Sequence, residues 1–342
     1  MAEGEKQKKG DELVRKKILA VALSAILAIG TLSGCQSAVQ EKKKGTFTIL
    51  TSFYPMYILA LNLVDGAENV ELRNLASPST GCLHDYQMRP MDMVNMEQND
   101  VMIINGAGME EFLEDATKGL DSLTLIDATE GLNLLPSEEH SHDHEDHDHD
   151  HEDHDHEDHE DHDHEDHDHG EWNAHAWLSL DLYEEQIEVV ANQLSQYNPE
   201  NKEIYQKNAK EYKNKIEHLK GLEEEIKEET KGKKIVIFHE AFAYMAQDLG
   251  MEVVESLEVE TDAGLSAGQI KELIDEVDHS GADLLISEKQ YSGKIGQTLE
   301  KEIGIHDITL DSCVTGKMEK NSYLNSMEEN LRVLKEALSN GA

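Results

Sequence analysis

Residues 140–169 read HSHDHEDHDHDHEDHDHEDHEDHDHEDHDH, thirty positions that are all His, Asp or Glu but for a single Ser. With no apolar side chain, the run has nothing to bury that would offset the entropy of ordering its backbone. It therefore predicts a solvated, mobile insertion rather than a structural element. An acidic solubilising loop would need carboxylates but not a histidine at every second or third position. Imidazoles beside carboxylates on a loose backbone make a multi-site trap for Zn²⁺, Ni²⁺ or Cu²⁺. The trap would use His140, His142, His144, His147, His149, His151, His154, His156, His159, His162, His164, His167 and His169. Such a trap is an accessory, so the rest of the chain must hold whatever it supplies.

At 342 residues the chain has room for two domains of ordinary size. The formal net charge is −42, and the run from Glu138 to Asp168 carries eighteen of the acids, which leaves about −24 elsewhere. Such a surface disfavours nucleic acid and anionic lipid and favours cations. Three cysteines, Cys35, Cys82 and Cys313, are too few for a disulfide scaffold and form no CxxC pair.

Arg15, Lys16 and Lys17 precede an apolar run, Ile18–Leu32, that is short for a membrane span and ends in small residues. Residues 1–35 are thus expected to be a signal peptide. Its Leu32-Ser33-Gly34-Cys35 ending resembles a bacterial lipobox, which implies cleavage before Cys35 and acylation of its thiol. Residues 36–45 read as a tether. The mature protein is then expected outside the cytoplasmic membrane, held to its outer face by the lipid.

From Thr46 onward strands alternate with helices. Thr46–Thr51, Val70–Leu75, Val101–Asn105 and Leu123–Asp127 read as strands. Between them lie helices ending near Val64, carrying Met88, Met91, Met93 and Met96, and spanning Met109–Lys118. The methionines are expected as gap-filling core rather than as Cu(I) ligands. After the acidic run, Asp181 is expected to cap a helix to Tyr197, and Asn198-Pro199 to start a longer one. Tyr205, Ala209, Tyr212, Ile216, Leu219, Leu222 and Ile226 form one stripe on it, so to Thr230 it would be a rigid spacer about 45 Å long. The second half repeats the pattern, with strands at Lys234–Phe238, Val253–Leu257, Asp283–Ser287 and Asp307–Leu310, and helices to Leu249, over Ser266–His279, over Ile295–Ile303 and over Tyr323–Leu338. The expected fold class is α/β: two parallel-sheet domains joined by a long helix. The domains are 46–137 resumed at 171–198, the insertion 138–170, the helix 199–231, and the second domain 232–342.

Ligand sites on parallel sheets lie beyond the carboxyl ends of the strands. His84 follows the second strand, His239 ends the Lys234 strand, Glu288 ends the Asp283 strand, and His175 stands where ordered composition returns in Trp172-Asn173-Ala174-His175. Three imidazoles and a carboxylate would give Zn²⁺ a filled tetrahedron. His218, His279 and His306 read as bystanders.

These residues sit in SFYPMY, CLHDYQMRPMD, NAHAWLS, IFHEAFAYMAQDLG and ISEKQYSGKIGQTLEKEIG. Through them the chain, from Thr46 to Leu338, resembles the zinc-binding solute-binding lipoproteins of bacterial ABC transporters, the cluster whose two domains share one long helix. The resemblance implies metal ligation by His84, His175, His239 and Glu288 in the cleft between the domains. A His at 239, where manganese and iron members carry a carboxylate, favours zinc, with Mn²⁺, Ni²⁺ or Cu²⁺ as weaker competitors. It also implies a monomeric high-affinity receptor that hands Zn²⁺ to an ABC permease and, through it, to an ATPase. Cys82 departs from the family's ligand set: it is a spare thiolate, a partner for Cys313, or inert. Two other classes share the ingredients. An extracellular zinc store or adhesin would use the same trap, whereas a secreted zinc hydrolase would need an open coordination position and a base, and no HExxH occurs. The chain is therefore expected not to be an enzyme.

Overall fold

Apolar, β-branched runs such as Ile235-Val236-Ile237 and Leu284-Leu285-Ile286 are buried on both faces, as central strands of helix-covered parallel sheets must be. The computed structural model describes residues 45–84, 86–120, 122–137, 171–257, 267–290 and 293–339. The signal sequence, Cys35 and the His140–His169 run lie outside them.

The first sheet has strands β1 (Phe47–Thr51), β2 (Val70–Asn74), β3 (Val101–Ile104) and β4 (Thr124–Asp127), in the order β2-β1-β3-β4 and all parallel. Its helices are α1 (Tyr54–Leu63), α2 (Pro90–Glu97) and α3 (Leu113–Thr117). Two helices then run in succession, α4 (Leu180–Tyr197) and α5 (Lys202–Thr230). The second sheet has β5 (Lys234–Ile237), β6 (Glu252–Ser256), β7 (Leu284–Glu288) and β8 (His306–Leu310), in the equivalent order β6-β5-β7-β8, again all parallel. Helices α6 (Ala243–Asp248), α7 (Ala267–Ser280), α8 (Gly293–Ile303) and α9 (Ser322–Ser339) complete it. Both sheets fall in one compact unit.

Alternation along the strands builds the core. Ile49, Ile235 and Ile237 face a central cluster shared by both halves, while Leu50 faces a satellite with Met96 and Met102. Val236 and Phe238 likewise face a second satellite with Leu285 and Leu299. Helix α5 lies in the central layer against α1, α4 and α9. Tyr205, Ala209, Tyr212, Ile216, Leu219 and Ile226 are buried there and Leu222 is partly so, which makes α5 part of the core rather than a bare spacer. Each large apolar side chain so buried is worth about 1.5–3 kcal/mol. Where the halves meet, Tyr183 of α4 stacks on Tyr323 of α9 at a ring-centroid distance of 3.9 Å.

Three local expectations are corrected. Ser179, not Asp181, caps α4: its hydroxyl accepts the Leu182 N–H at 3.3 Å, and Asp181 instead sits in the first turn, where a negative charge suits the helix dipole. Asn198-Pro199 opens a short 3₁₀ turn over Pro199–Asn201, and α5 begins only at Lys202. Among the methionines, Met96 is fully buried, whereas Met91 is 44% exposed.

Beyond β3, the chain turns at Gly106 with φ +87°. A Cβ at Gly106 would stand 2.0 Å from Asp127 Oδ1 and 2.5 Å from Thr129 Oγ1. Gly106→Ala should therefore destabilise the protein by at least ~1–3 kcal/mol, through the left-handed backbone and the clash together. Urea unfolding of variant and wild type checks this; equal midpoints would refute it.

Candidate metal centre

The carboxyl ends of the two sheets supply the site. His84 and Cys82 lie in the loop after β2, His239 stands two residues past the end of β5, and Glu288 is the last residue of β7. His175 lies on the segment that leads through a 3₁₀ turn, Ala176–Leu178, into α4.

That segment is fastened on both sides. Toward the first half, Asn105 Nδ2 donates to Ala174 O at 2.8 Å, and Gln186 Nε2 donates to Asn105 Oδ1 at 3.0 Å. Asn105 is itself fixed by Glu110, whose buried carboxylate accepts the N–H groups of Asn105 and Gly106 at 2.8 and 3.0 Å. Burial outweighs these bonds and pushes the Glu110 carboxyl up to about 7. Toward the second half, Tyr244 Oη donates to Asn173 O at 2.7 Å and Trp177 Nε1 to Ser312 O at 2.9 Å. Tyr323 Oη donates to Trp177 O, also at 2.7 Å.

Four donors converge here: Cys82, His84, His175 and His239 each bring one ligand atom within 4.8 Å of all the others. His84 Nε2 and His175 Nε2 are 3.3 Å apart, and Cys82 Sγ is 3.6 Å from His175 Nε2. His175 is fully buried, His239 and Glu288 nearly so, and the other two half-buried. Asn173 sets the tautomer of His175. Its side-chain oxygen accepts the His175 backbone N–H at 2.9 Å and the ring Nδ1–H at 3.0 Å, leaving the Nε2 lone pair aimed into the cluster. Burial, then His239 and His84, hold the His175 imidazole well below its ordinary 6.5. It stays neutral at physiological pH, ready to ligate.

The structure thus brings three of the sequence-predicted ligands, His84, His175 and His239, to one point. Glu288 stands outside the four-donor group but touches it, with Oε2 3.2 Å from His239 Nδ1. Cys82 and Cys313 are not joined in a disulfide. The histidines read as bystanders lie elsewhere: His218 is exposed, His279 bonds the Asp275 carbonyl on its own helix, and His306 pairs with Glu300 at 2.8 Å. Sequence reasoning missed Asn173, although an amide two residues before a candidate ligand was a readable signal. Asn173→Ala should weaken metal binding about 10–100-fold while the fold persists. Chelator competition with circular dichroism on the metal-free protein measures both; unchanged affinity would show that the amide plays no part.

Other proteins share this architecture. A Bacillus subtilis (strain 168) protein, "High-affinity zinc uptake system protein ZnuA", is 27% identical over 327 residues, which is 94% of this chain and 96% of that one. The Streptococcus pneumoniae (strain ATCC BAA-255 / R6) "Zinc-binding lipoprotein AdcA" is 28% identical over 94% of this chain, which spans only 61% of that longer protein. The crystal structure of the Zn(II)-bound ZnuA-like domain of Streptococcus pneumoniae AdcA superposes with a TM-score of 0.66 at 25% identity, over 85% of this chain and 98% of the domain. No helix among the described residues is long and apolar enough to cross a membrane. The family model described as "ZnuA: Zinc-uptake complex component A periplasmic" matches residues 49–337, and the chain belongs to that family.

Proposed function

We propose that this protein is the extracytoplasmic receptor of a zinc importer: it captures Zn²⁺ between its two domains and releases it to an ABC permease driven by a cytoplasmic ATPase. One observation carries the reading, the meeting of three buried or half-buried imidazoles at the carboxyl ends of two facing parallel sheets. Two zinc ligands at about 2.0–2.1 Å in a tetrahedron stand about 3.3–3.4 Å apart. The His84–His175 nitrogens, at 3.3 Å, already keep that spacing. In this reading His84, His175 and His239 hold the ion, and Glu288 contributes negative charge beside His239. Ni²⁺, Mn²⁺ and Cu²⁺ would compete more weakly.

The lobes are residues 46–137 with 171–198, and 232–342, on either side of the helix 199–231. A helix packed along its length into the shared core argues for a small closure rather than a wide hinge. Acylated Cys35 would hold the monomeric protein to the outer face of the membrane, with residues 36–45 as its tether. The His140–His169 run would collect zinc loosely at the cleft mouth and lose it as its imidazoles protonate below about pH 6.5. The protein acts as a receptor and not as an enzyme.

Zinc titration of the metal-stripped chain against a chelator of known affinity tests this. One tight site is expected, weakened at least ~100-fold in His84→Ala, since a ligand should matter no less than the partner that orients it. Deleting residues 140–169 should remove weak equivalents and leave the tight site. If the tight site left with the run, the protein would be a zinc sponge. A strain lacking the chain should falter only when zinc is scarce; unimpaired growth there would favour storage or adhesion over uptake.

A further inference from the structure

We propose that the thiolate of Cys82 is the fourth zinc ligand, so that the ion is held by one sulfur and three nitrogens while Glu288 secures His239 from behind. The inference rests on the zinc-receptor reading and names the ligand set of that same site.

Geometry points to the sulfur. With Zn–N near 2.0–2.1 Å and Zn–S near 2.3 Å, the edge of a tetrahedron between sulfur and nitrogen is about 3.6 Å, longer than the nitrogen–nitrogen edge by the extra radius of sulfur. Cys82 Sγ lies 3.6 Å from His175 Nε2, and His84 Nε2 lies 3.3 Å from it. The edges from His175 to Cys82 and to His84 therefore have the lengths that their elements require. Cys82 is half-buried against the central core, and Gly81 before it has φ +89°, a turn that delivers the thiol beside His84. Glu288 stands outside the four-donor group. Its Oε2 faces His239 Nδ1 at 3.2 Å, the position of a carboxylate that accepts the ring N–H and leaves Nε2 for the metal.

Charge agrees. Three neutral imidazoles leave a buried dication uncompensated, at a desolvation cost of several kcal/mol per charge. A thiolate on the ion offsets one of its charges directly, and two carboxylates stand one imidazole away: Glu288 beside His239, and Glu240 with Oε1 3.8 Å from His175 Nδ1. On binding, the Cys82 S–H bond is replaced by an S–Zn bond and the proton leaves to solvent. A sulfur donor also tilts selectivity toward Zn²⁺ and Cd²⁺ and away from Mn²⁺, which favours oxygen.

The test loads the full chain with Co²⁺ in place of zinc and records the near-ultraviolet spectrum. A thiolate on Co²⁺ gives a sulfur-to-metal charge-transfer band that imidazoles and carboxylates do not, so the His140–His169 run adds nothing to it. The band is expected in the wild type and in Cys313→Ser, and should vanish in Cys82→Ser. Zinc affinity, measured by chelator competition, should fall at least tenfold in Cys82→Ser, with the circular dichroism of the metal-free protein unchanged. Absence of the band from the wild type, a measurement that needs no variant, would overturn the inference, as would its survival in Cys82→Ser. Tight zinc binding that His84→Ala abolishes and Cys82→Ser leaves intact would overturn it while the receptor reading stands. Loss of tight binding in every form, wild type included, would overturn both.

Discussion

The hydrogen bonds that bolt the Asn173–Leu178 segment to both halves are the interaction on which the rest depends. Without them His175 would be a loop residue of the first half; with them it belongs to both sheets at once. Asn105 holds Ala174 from one side, and Tyr244, Ser312 and Tyr323 hold Asn173 and Trp177 from the other. All four of these bonds are buried between neutral groups, where each is worth about 1 kcal/mol net and an unpaired partner would cost more. None of these bonds uses a candidate ligand side chain, so the segment is held in place without drawing on the donors.

Burial then decides the chemistry. Three imidazoles within reach of one another would repel if protonated, and the low dielectric around His175 removes that option. The result is a buried imidazole, His175, whose lone pair is turned toward two further imidazoles and a thiol.

Much of this was legible in the sequence because parallel sheets write continuous apolar runs and put functional residues directly after them. Lys234–Phe238 followed by His239, and Asp283–Ser287 followed by Glu288, announce both strand and site. The α5 stripe was legible because its three- and four-residue steps survive any polar neighbour. What escaped was decided by single hydrogen bonds. Ser179 and Asp181 are both good caps, and only the direction of the Leu182 N–H chooses between them. The methionine helix has three similar side chains, with Met88 ahead of its first turn, and the sheet alone determines that Met96 turns inward and Met91 outward. Cys82 has His84 two residues on, but the pair makes a site only with His175, 93 positions from Cys82, and His239. Asn173 was visible as a letter in NAHAWLS but not as the group that fixes a tautomer.

Trp177, introduced above as a hydrogen-bond donor that anchors the segment, has an optical consequence. Its indole is fully buried with its centroid 5.1 Å from the His175 ring, while the chain's other tryptophan, Trp172, is 43% exposed. The molecule therefore carries a blue-shifted emitter beside the His175 imidazole and a red-shifted one in water, within six residues of sequence. Occupancy of the cleft should alter the blue component and leave the red one as an internal reference. A change confined to the red component would mean that Trp177 does not sense its neighbour.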